Sequence, residues 1–370
     1  MASRRTTSEL PACYAMVHDG LEQITGEEIA DTLGGAVKRS GSGIVVFRVA
    51  DLTRDLLHLR TTEDVFLYGW GTDELSYRAK DLDTIERWTA RSVDWDLLLK
   101  LHHAVTPKPR GKPTYHFVTQ MIGPHGYRRV DAKDAMVRGL KGKLPASWKY
   151  ADDNASVEIW LTIHGAMAIC GMRLSDKTMR HRTYKHEHLP ASIRPTVAAA
   201  MVRLAELKPN QTVLDPMCGA GTLLAEAFLY AKGRRASDGS FWQMQFVGGD
   251  IDASHVRAAQ ANLRQFHISD VRDWDARELP LDDASVDRIV SNPPFGKQLS
   301  TPEEIVPLYR ESIAEMGRVL KPGGRVVLIV ADMPALRAAV EHVGWKQVRQ
   351  ANLRMLGQRA TIVVYQSVKR

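Results

Sequence analysis

The tetrapeptide Asn292-Pro293-Pro294-Phe295 has the residue types and the order needed to hold a planar amino group. Two consecutive prolines fix their φ angles and push Asn292 into an extended conformation. The side-chain carbonyl of Asn292 and the backbone carbonyl of Pro293 then point toward one position, where they can accept both hydrogens of the amino group. Phe295 offers a face on which an aromatic base can stack. We therefore predict Asn292, Pro293 and Phe295 as catalytic residues that present the amino nitrogen to an electrophile.

The segment VLDPMCGAGTLLAEA, residues 213–227, predicts a loop that binds a cofactor. Its glycines let the backbone approach a ligand, and N–H groups at the start of the following helix can bind a polar or anionic group. Leu224 stands where a dinucleotide fingerprint has its third glycine, which disfavours NAD. Cys218 is interpreted as a small packing residue within the loop. The loop residues predicted to bind the cofactor are Asp215, Cys218, Gly219, Gly221 and Thr222.

Acidic residues at two later strand ends complete the predicted cofactor site. In GGDID, residues 248–252, Asp250 closes a strand where a carboxylate can accept from both ribose hydroxyls, and Ile251 follows it. In the loop after the third strand, the Asp275 carboxylate could accept from an adenine amino group and the Ala276 N–H could reach the ring; an ordinary turn residue is the alternative for Asp275. Together with Asn292, this set predicts S-adenosyl-L-methionine, whose methyl sulfonium is the electrophile.

Other chemistries fit the sequence less well. Methylation of a pyrimidine carbon normally uses a cysteine nucleophile near the strand end, but the last cysteine, Cys218, lies in the cofactor loop. The histidines of residues 181–188 lack further ligands at matched spacing, so we predict no metal. Three cysteines far apart suit a reducing compartment, and we expect a cytoplasmic protein. No apolar run reaches the roughly 18 residues of a membrane span, and the N-terminus does not resemble a signal peptide.

Basic residues are concentrated in one part of the chain. Residues 100–149 contain 11 basic and 2 acidic side chains, whereas residues 1–99 contain 11 basic and 17 acidic ones. Clustered lysine and arginine can bind a phosphate backbone, although a solvated basic face with no partner has the same composition. The residues predicted to contact RNA are Lys108, Arg110, Lys112, Arg128, Arg129, Lys141, Lys143, Arg180 and Arg182.

The arrangement of predicted elements changes near residue 191. Before it, short strands (residues 12–18, 43–49, 114–122 and 157–163) mix with helices (residues 21–33 and 132–144), as in an α+β module. After it, strands and helices alternate, with strands at 212–215, 246–250, 286–292, 325–331 and 360–367, which indicates a doubly wound α/β sheet. We predict four segments: residues 1–75, residues 76–174, a linker at 175–190 and a Rossmann-like domain at 191–370.

With these residues assembled, the chain resembles the THUMP-domain tRNA guanine-N2 methyltransferases. The resemblance rests on DPMCGAGT (215–222), GGDID (248–252) and NPPFG (292–296), with weaker matches at residues 20–22, 59–64, 114–127, 179–182 and 189–196. Asp19 departs from the family, which more often has proline there. The resemblance implies a ferredoxin-like domain at 1–75, a THUMP RNA-binding domain at 76–174, a class I methyltransferase domain, and formation of N2-methylguanosine in the tRNA acceptor stem near position 6.

Related chemistries share the Asn-Pro-Pro-aromatic motif. Enzymes that methylate adenine N6 in nucleic acid or a glutamine amide in release factors use the same acceptors on a planar nitrogen. The basic residues favour RNA over protein, which leaves a ribosomal-RNA guanine-N2 methyltransferase as the nearest alternative. A non-catalytic RNA-binding adaptor with a methyltransferase fold is the other alternative, and the complete set of motif residues argues against it. The expected partner is tRNA, with no membrane and no identified protein partner.

Overall fold

The chain forms two compact units in a computed structural model that describes residues 11–107, 111–190, 192–294, 302–355 and 357–368. The first unit comprises Met1–Val17 and Thr25–Met179, and the second comprises His18–Ile24 and Arg180–Arg370. No helix among the described residues is both long and apolar enough to cross a membrane.

Fifteen strands lie within the described residues. In chain order they are β1 (Ala12–Val17), β2 (Ala36–Gly41), β3 (Ile44–Arg48), β4 (Thr62–Thr72), β5 (Thr114–Ile122), β6 (Lys149–Tyr150), β7 (Val157–His164), β8 (Met167–Arg173), β9 (Thr212–Asp215), β10 (Gln245–Asp250), β11 (Val271–Asp273), β12 (Val286–Ser291), β13 (Leu320–Val330), β14 (Lys346–Met355) and β15 (Gln358–Gln366). The α-helices are α1 (Glu22–Leu33), α2 (Asp81–Arg91), α3 (Trp95–Val105), α4 (Arg129–Gly139), α5 (Thr178–His181), α6 (Pro195–Leu204), α7 (Thr222–Ala231), α8 (Ala253–Leu263), α9 (Pro302–Val319) and α10 (Met333–Glu341).

The first unit is built on one eight-stranded sheet, in the order β2-β3-β1-β4-β8-β7-β5-β6. Strand β5 pairs in parallel with β7 and β6, and the other neighbours are antiparallel. The helix predicted at residues 132–144 begins earlier, at Arg129, because the Asp131 carboxylate accepts the backbone N–H of Arg128 at 2.8 Å and caps the first turn. Residues 1–75 and 76–174 both contribute strands to this sheet, so their separation into two domains stays a prediction.

The second unit contains the predicted doubly wound sheet, in the order β11-β10-β9-β12-β13-β15-β14. Strands β11, β10, β9, β12 and β13 are parallel, and β15 runs antiparallel to both β13 and β14. The carboxyl ends of the parallel strands meet at one edge, which is where ligands bind in sheets of this class. The predicted α/β fold is confirmed, and the sheet ends in an antiparallel hairpin of β14 and β15.

A short piece from near the N-terminus belongs to the second unit. Leu21 and Ile24 are buried in its apolar core together with Leu353 and Met355 of β14. Gly20 has a φ of +96°, and a Cβ there would lie 2.1 Å from the backbone oxygen of Asn352. Only glycine fits this turn.

The linker at residues 175–190 stays a prediction, and two of its residues pack against the domain that follows. Arg182 and Tyr184 are buried, and both donate to Glu226 Oε1 of α7, at 3.1 and 2.7 Å. Glu226 is itself 1% exposed. A carboxylate buried this deeply needs hydrogen-bond donors, and this segment supplies them.

Candidate active site

A cavity of 410 Å³ opens at the carboxyl edge of the second sheet. It brings together most of the predicted site, namely Asp215, Cys218, Gly219, Thr222, Asp250, Ile251, Asp275, Ala276, Asn292 and Pro293. Gly221 does not line it. Phe295, the third predicted catalytic residue, lies outside the described residues. The strand ends therefore assemble one site from motifs spread over about 80 residues of sequence.

The two glycines of the cofactor loop have different roles. Gly219 has a φ of +49°, and a Cβ there would have no atom within 4 Å, so its backbone faces open space. Gly221 has a φ of +75° and caps α7, and a Cβ there would lie 2.9 Å from Leu263 Cδ1. Gly219 thus leaves room for a ligand, whereas Gly221 lets α8 pack closely behind the loop.

The Cys218 thiol is not a nucleophile in this arrangement. Its backbone N–H donates to the Gly249 oxygen at 2.8 Å, which fixes the loop against β10. Burial raises the pKa of the Cys218 thiol well above its usual range, so the thiol stays protonated. Its interpretation as a packing residue agrees with this environment, and its backbone still borders the cavity.

Asp250 is held in a fixed orientation by three donors. Its Oδ2 accepts the Gly219 N–H at 2.9 Å, and its Oδ1 accepts the Asp252 N–H at 3.1 Å. His255 Nδ1 lies 3.1 Å from the same Oδ1. Each carboxylate oxygen has two lone pairs, so Oδ2 keeps one for a ligand in the cavity.

Asp215 is a buried carboxyl group with an incomplete set of partners. It is 1% exposed, and its Oδ1 accepts from Ser291 Oγ at 2.8 Å and from the Met217 N–H at 3.3 Å. Burial raises the pKa of Asp215 to about 7, and the nearby charge of Asp250 adds to this rise. No ion pair neutralises Asp215 within the described part of the chain. A cation bound in the cavity would favour its ionised form.

Asn292 directly follows β12, with Pro293 and Pro294 beside it in the cavity wall. Its Oδ1 is buried and has no hydrogen-bond partner among the residues that the structure describes. Tyr309 Oη donates to the Pro294 oxygen at 3.3 Å and holds the turn. Leaving a buried acceptor unpaired costs about 1–3 kcal/mol, so this oxygen is placed for a donor that arrives with a ligand.

Thr222 Oγ1, at the start of α7, is a second buried polar atom without a partner in the described ranges. It lines the same cavity. Two such atoms at one cavity indicate a polar ligand with more than one hydrogen-bonding group.

The Asp275 carboxylate forms an ion pair with Arg277 that the sequence did not predict. Arg277 donates to it through Nε, at 3.0 Å from both oxygens, and the pair lowers the pKa of Asp275. Asp275 stays ionised, and a ligand amino group would share it with the guanidinium. Ile251 is 67% exposed and Ala276 is buried, and both lie at the cavity.

Several lining residues were missed because they come from segments with no motif. A wall segment, defined as residues 182–190 and 192–193, contributes Leu189, Pro190, Ser192 and Ile193. Further missed residues outside the motifs are His255 and Arg277, Leu308 of α9, and Met355 and Gln358 at the ends of β14 and β15. Only tertiary structure brings them to the cavity. The sole sequence signal was the similarity of residues 189–196 to the family.

The predicted RNA contacts lie outside the cavity. Lys112, Arg128, Arg129, Lys141 and Lys143 of the first unit are exposed, and Arg128 pairs with Asp131. Lys108 and Arg110 lie outside the described residues, and Arg180 is half-buried. Arg182 differs from the other predicted RNA contacts. Its side chain is 7% exposed and its Nε lies 3.1 Å from Glu226 Oε1, so its guanidinium pairs with a buried carboxylate.

Comparison with known proteins agrees with this geometry. A mouse protein named tRNA (guanine(6)-N(2))-methyltransferase THUMP3 is 31% identical over 232 residues, which are 58% of this chain and 44% of that protein. A bovine protein named U6 snRNA (guanine-N(2))-methyltransferase THUMPD2 is 34% identical over 188 residues, 50% of this chain and 34% of that protein. The chain thus spans less than half the length of these relatives.

Two matches from Thermus thermophilus extend over most of the chain. A tRNA (guanine(6)-N2)-methyltransferase is 26% identical over 332 residues, 88% of this chain and 91% of that protein. The crystal structure of TrmN has the same fold, with a TM-score of 0.74, 24% identity and coverage of 96% of this chain and 99% of that one. A family model described as UPF0020, RMKL-like, methyltransferase domain matches residues 182–361. The residues that this model matches include the parallel strands of the second unit and the cavity at their ends.

Proposed function

We propose that this chain transfers a methyl group from S-adenosyl-L-methionine to the N2 amino group of a guanine in tRNA. The observation that carries the proposal is the buried, unpartnered Oδ1 of Asn292 in the wall of the cavity, next to Pro293. Because this acceptor has no partner among the described residues, it is available to an N–H donor of a ligand, and an exocyclic amino group is such a donor.

The residues of the cavity fit S-adenosyl-L-methionine. Asp250 presents an oriented carboxylate to the ribose hydroxyls, and the open face of Gly219 leaves space for the methionine chain. Asp215 would accept a hydrogen bond from the cationic amino group of the cofactor. The Thr222 hydroxyl, which has no partner in the described residues, could form another hydrogen bond with it. When bound, this cofactor supplies an electrophilic methyl group on a sulfonium.

The protein's own contribution to the reaction is orientation. Asn292 Oδ1 and the Pro293 backbone oxygen would accept the two hydrogens of the guanine amino group, which turns the nitrogen lone pair toward the methyl donor. The same two acceptors stabilise positive charge as it develops on the nitrogen. Phe295 would stack on the base, as the sequence predicts. No side chain forms a covalent bond.

Transfer RNA is the proposed substrate because the relative that matches most of the chain, 88% of it, is named a tRNA (guanine(6)-N2)-methyltransferase. The shared catalytic unit also resembles a U6 snRNA enzyme, but over only 34% of that protein's length. The exposed basic residues of the first unit would bind phosphates of the RNA. The buried free thiols of Cys13, Cys170 and Cys218 suit a reducing cytoplasm.

The test is methylation with a labelled methyl donor. Total tRNA, ribosomal RNA and a U6 snRNA transcript are incubated separately with the full chain, and the RNA is digested to nucleosides. We expect label in N2-methylguanosine from tRNA. Label confined to U6 or ribosomal RNA would show that tRNA is not the substrate. Label in N6-methyladenosine would overturn the guanine assignment.

A tRNA carrying inosine at the modified position provides the matched control. Inosine keeps the purine ring and its oxygen but lacks the amino group. We expect no label in this substrate. Its methylation at that position would show that the reacting atom is not guanine N2.

A further inference from the structure

Asn262, on α8, connects two walls of the cavity without lining it. Its Oδ1 accepts the backbone N–H groups of His186 and Glu187, both at 2.9 Å. Its Nδ2 donates to the Glu187 oxygen at 3.1 Å and to the Ala220 oxygen at 3.0 Å. The first three bonds hold the wall segment, and the fourth reaches the cofactor loop between its two glycines.

The side chain of Asn262 has no unused hydrogen-bonding capacity. An amide has two donor hydrogens and two acceptor lone pairs on its oxygen, and all four are used here. The residue is 1% exposed, so water cannot replace any of these bonds. If the Asn262 side chain is changed, the buried backbone groups that it bonds lose their partner and pay the full free-energy cost of desolvation.

The wall segment has other attachments. Tyr184 packs in the same apolar cluster as Cys218 of the cofactor loop, and the hydrogen bonds that follow end on other parts of the unit. Glu226 holds its start through Arg182 and Tyr184, and Gln265 Nε2 donates to the Tyr184 oxygen at 3.3 Å. Lys185 Nζ donates to Ser192 Oγ at 2.8 Å and so closes the segment on itself. The contact with Ala220 is therefore particular to Asn262.

We infer that Asn262 is a positioning residue for cofactor binding, because its amide fastens the wall segment to Ala220 and so fixes the distance between two walls of the cavity. Leu189, Pro190, Ser192 and Ile193 on one side, and Gly219 and Ala220 on the other, are the walls concerned. This inference rests on the proposed function, since the cavity is taken to hold S-adenosyl-L-methionine.

The discriminating variant is Asn262→Asp in the full chain. Its carboxylate still accepts from His186 and Glu187 but has no hydrogen for Ala220, and it places negative charge beside two carbonyl oxygens. We expect the dissociation constant for S-adenosylhomocysteine, measured by calorimetry, to rise about 10- to 100-fold. The KM for S-adenosyl-L-methionine should rise in parallel, while kcat at saturation changes less than about threefold, because Asn292 and Pro293 are untouched.

Gln265→Ala is the matched control, since it removes a contact with the wall segment but none with the cofactor loop. We expect less than about threefold loss of affinity. A residue that serves stability alone would lower the melting temperature and the active fraction, but not the affinity of the folded molecules. Equal affinities of wild type and Asn262→Asp would overturn the inference.

Hydrogen exchange on the wild-type chain tests the same coupling without a variant. The amides of His186 and Glu187 should exchange more slowly when S-adenosylhomocysteine is bound, because coupling between cofactor and wall segment is reciprocal. Unchanged exchange of both amides in a chain that binds the probe would overturn the inference. A wild-type chain that does not bind the probe would overturn the proposed function itself.

Discussion

The two units each contain a deeply buried aspartate, and they treat its charge differently. In the first unit, Asp64 is 2% exposed and receives Arg173 Nε at 2.8 Å and Ser175 Oγ at 2.9 Å, while Arg173 also reaches Glu158 at 3.0 Å. In the second unit, the described residues give Asp215 a hydroxyl and a backbone N–H as donors, and Asp215 opens onto a cavity.

This contrast separates a structural charge from a functional one. A buried ion pair that is complete holds the fold together, and removal of one partner is costly. A buried carboxyl group that is left without a cation has an unfavourable environment until a ligand supplies one, and such groups concentrate at functional sites. Asp64 has its cation within the first unit, whereas Asp215 opens onto a cavity where a ligand can supply one.

The largest effect is expected for Arg173→Met in the first unit. The substitution removes the guanidinium that pairs with the buried Asp64 carboxylate, so the free energy of unfolding should fall by about 3–5 kcal/mol, as measured by denaturant titration. Cofactor affinity of the molecules that remain folded should not change. Reduced cofactor affinity with normal stability would show that the two kinds of buried charge are not separate in this protein.

Asn292→Ala should act on the reaction and not on the fold. Removal of one preorganised acceptor should lower kcat about 10²–10³-fold, with little change in cofactor or tRNA affinity. Single-turnover methylation and filter binding measure the two quantities. Asn292→Asp keeps an acceptor and should retain more activity than the alanine variant; equal loss in both would argue against orientation by this side chain.

The exposed charges of the first unit should affect only RNA binding. Replacing Arg129, Lys141 and Lys143 together with alanine should weaken tRNA binding about 10- to 100-fold and make the slope of log affinity against log salt shallower by about 2–3. Calorimetry with S-adenosylhomocysteine serves as the control and should be unchanged. An unaltered salt slope would identify these residues as an ordinary solvated face.

The smallest effect is a pH dependence of cofactor affinity. With a pKa of about 7, the Asp215 carboxyl group is largely protonated at pH 6 and largely ionised at pH 8. Because a cationic ligand favours the ionised form, affinity should rise by about fivefold over this range and then level off. Asp215→Asn should abolish the rise while keeping a side chain of the same shape. An identical profile in this variant would assign the titration to another group.

The same titration has the opposite sign for folding. The pKa of Asp215 is raised above its ordinary value of 3.8, so between about pH 4 and pH 7 the folded chain keeps a proton that the unfolded chain has lost. The contribution of Asp215 to the stability of the ligand-free protein should therefore decrease as the pH rises through that window. Thermal melts across this pH window give the slope of melting temperature against pH for wild type and for Asp215→Asn, and the two slopes can be compared.

The sequence predicted the parts of the site that short motifs determine. Asp215, Gly219, Asp250 and Asn292 end or follow strands of one parallel sheet, so the order of strands alone brings them to the same edge. The conformation of Gly219 and the extended residue before two prolines are likewise local properties.

The rest depended on burial and on distant pairing, which no local pattern reports. Arg182 and Lys141 are both basic residues in polar stretches, yet Arg182 is buried because Glu226, 44 positions later, requires donors. His255 and Gln358 reach the cavity only through the packing of α8 and the turn between β14 and β15. Net charge along a sequence indicates a basic region but does not distinguish a phosphate contact from an internal ion pair.

The turn at His18–Ile24 has a consequence for how such proteins can be recombined. Because Leu21 and Ile24 complete the core of the second unit, that unit is encoded by two separate stretches of the gene. A single genetic crossover near residue 180 would transplant a second unit that lacks part of its own interior and exposes apolar surface in its place. Exchange of the first unit between relatives requires three crossovers, one on each side of residues 18–24 and one near residue 180, so that the short turn stays with the second unit.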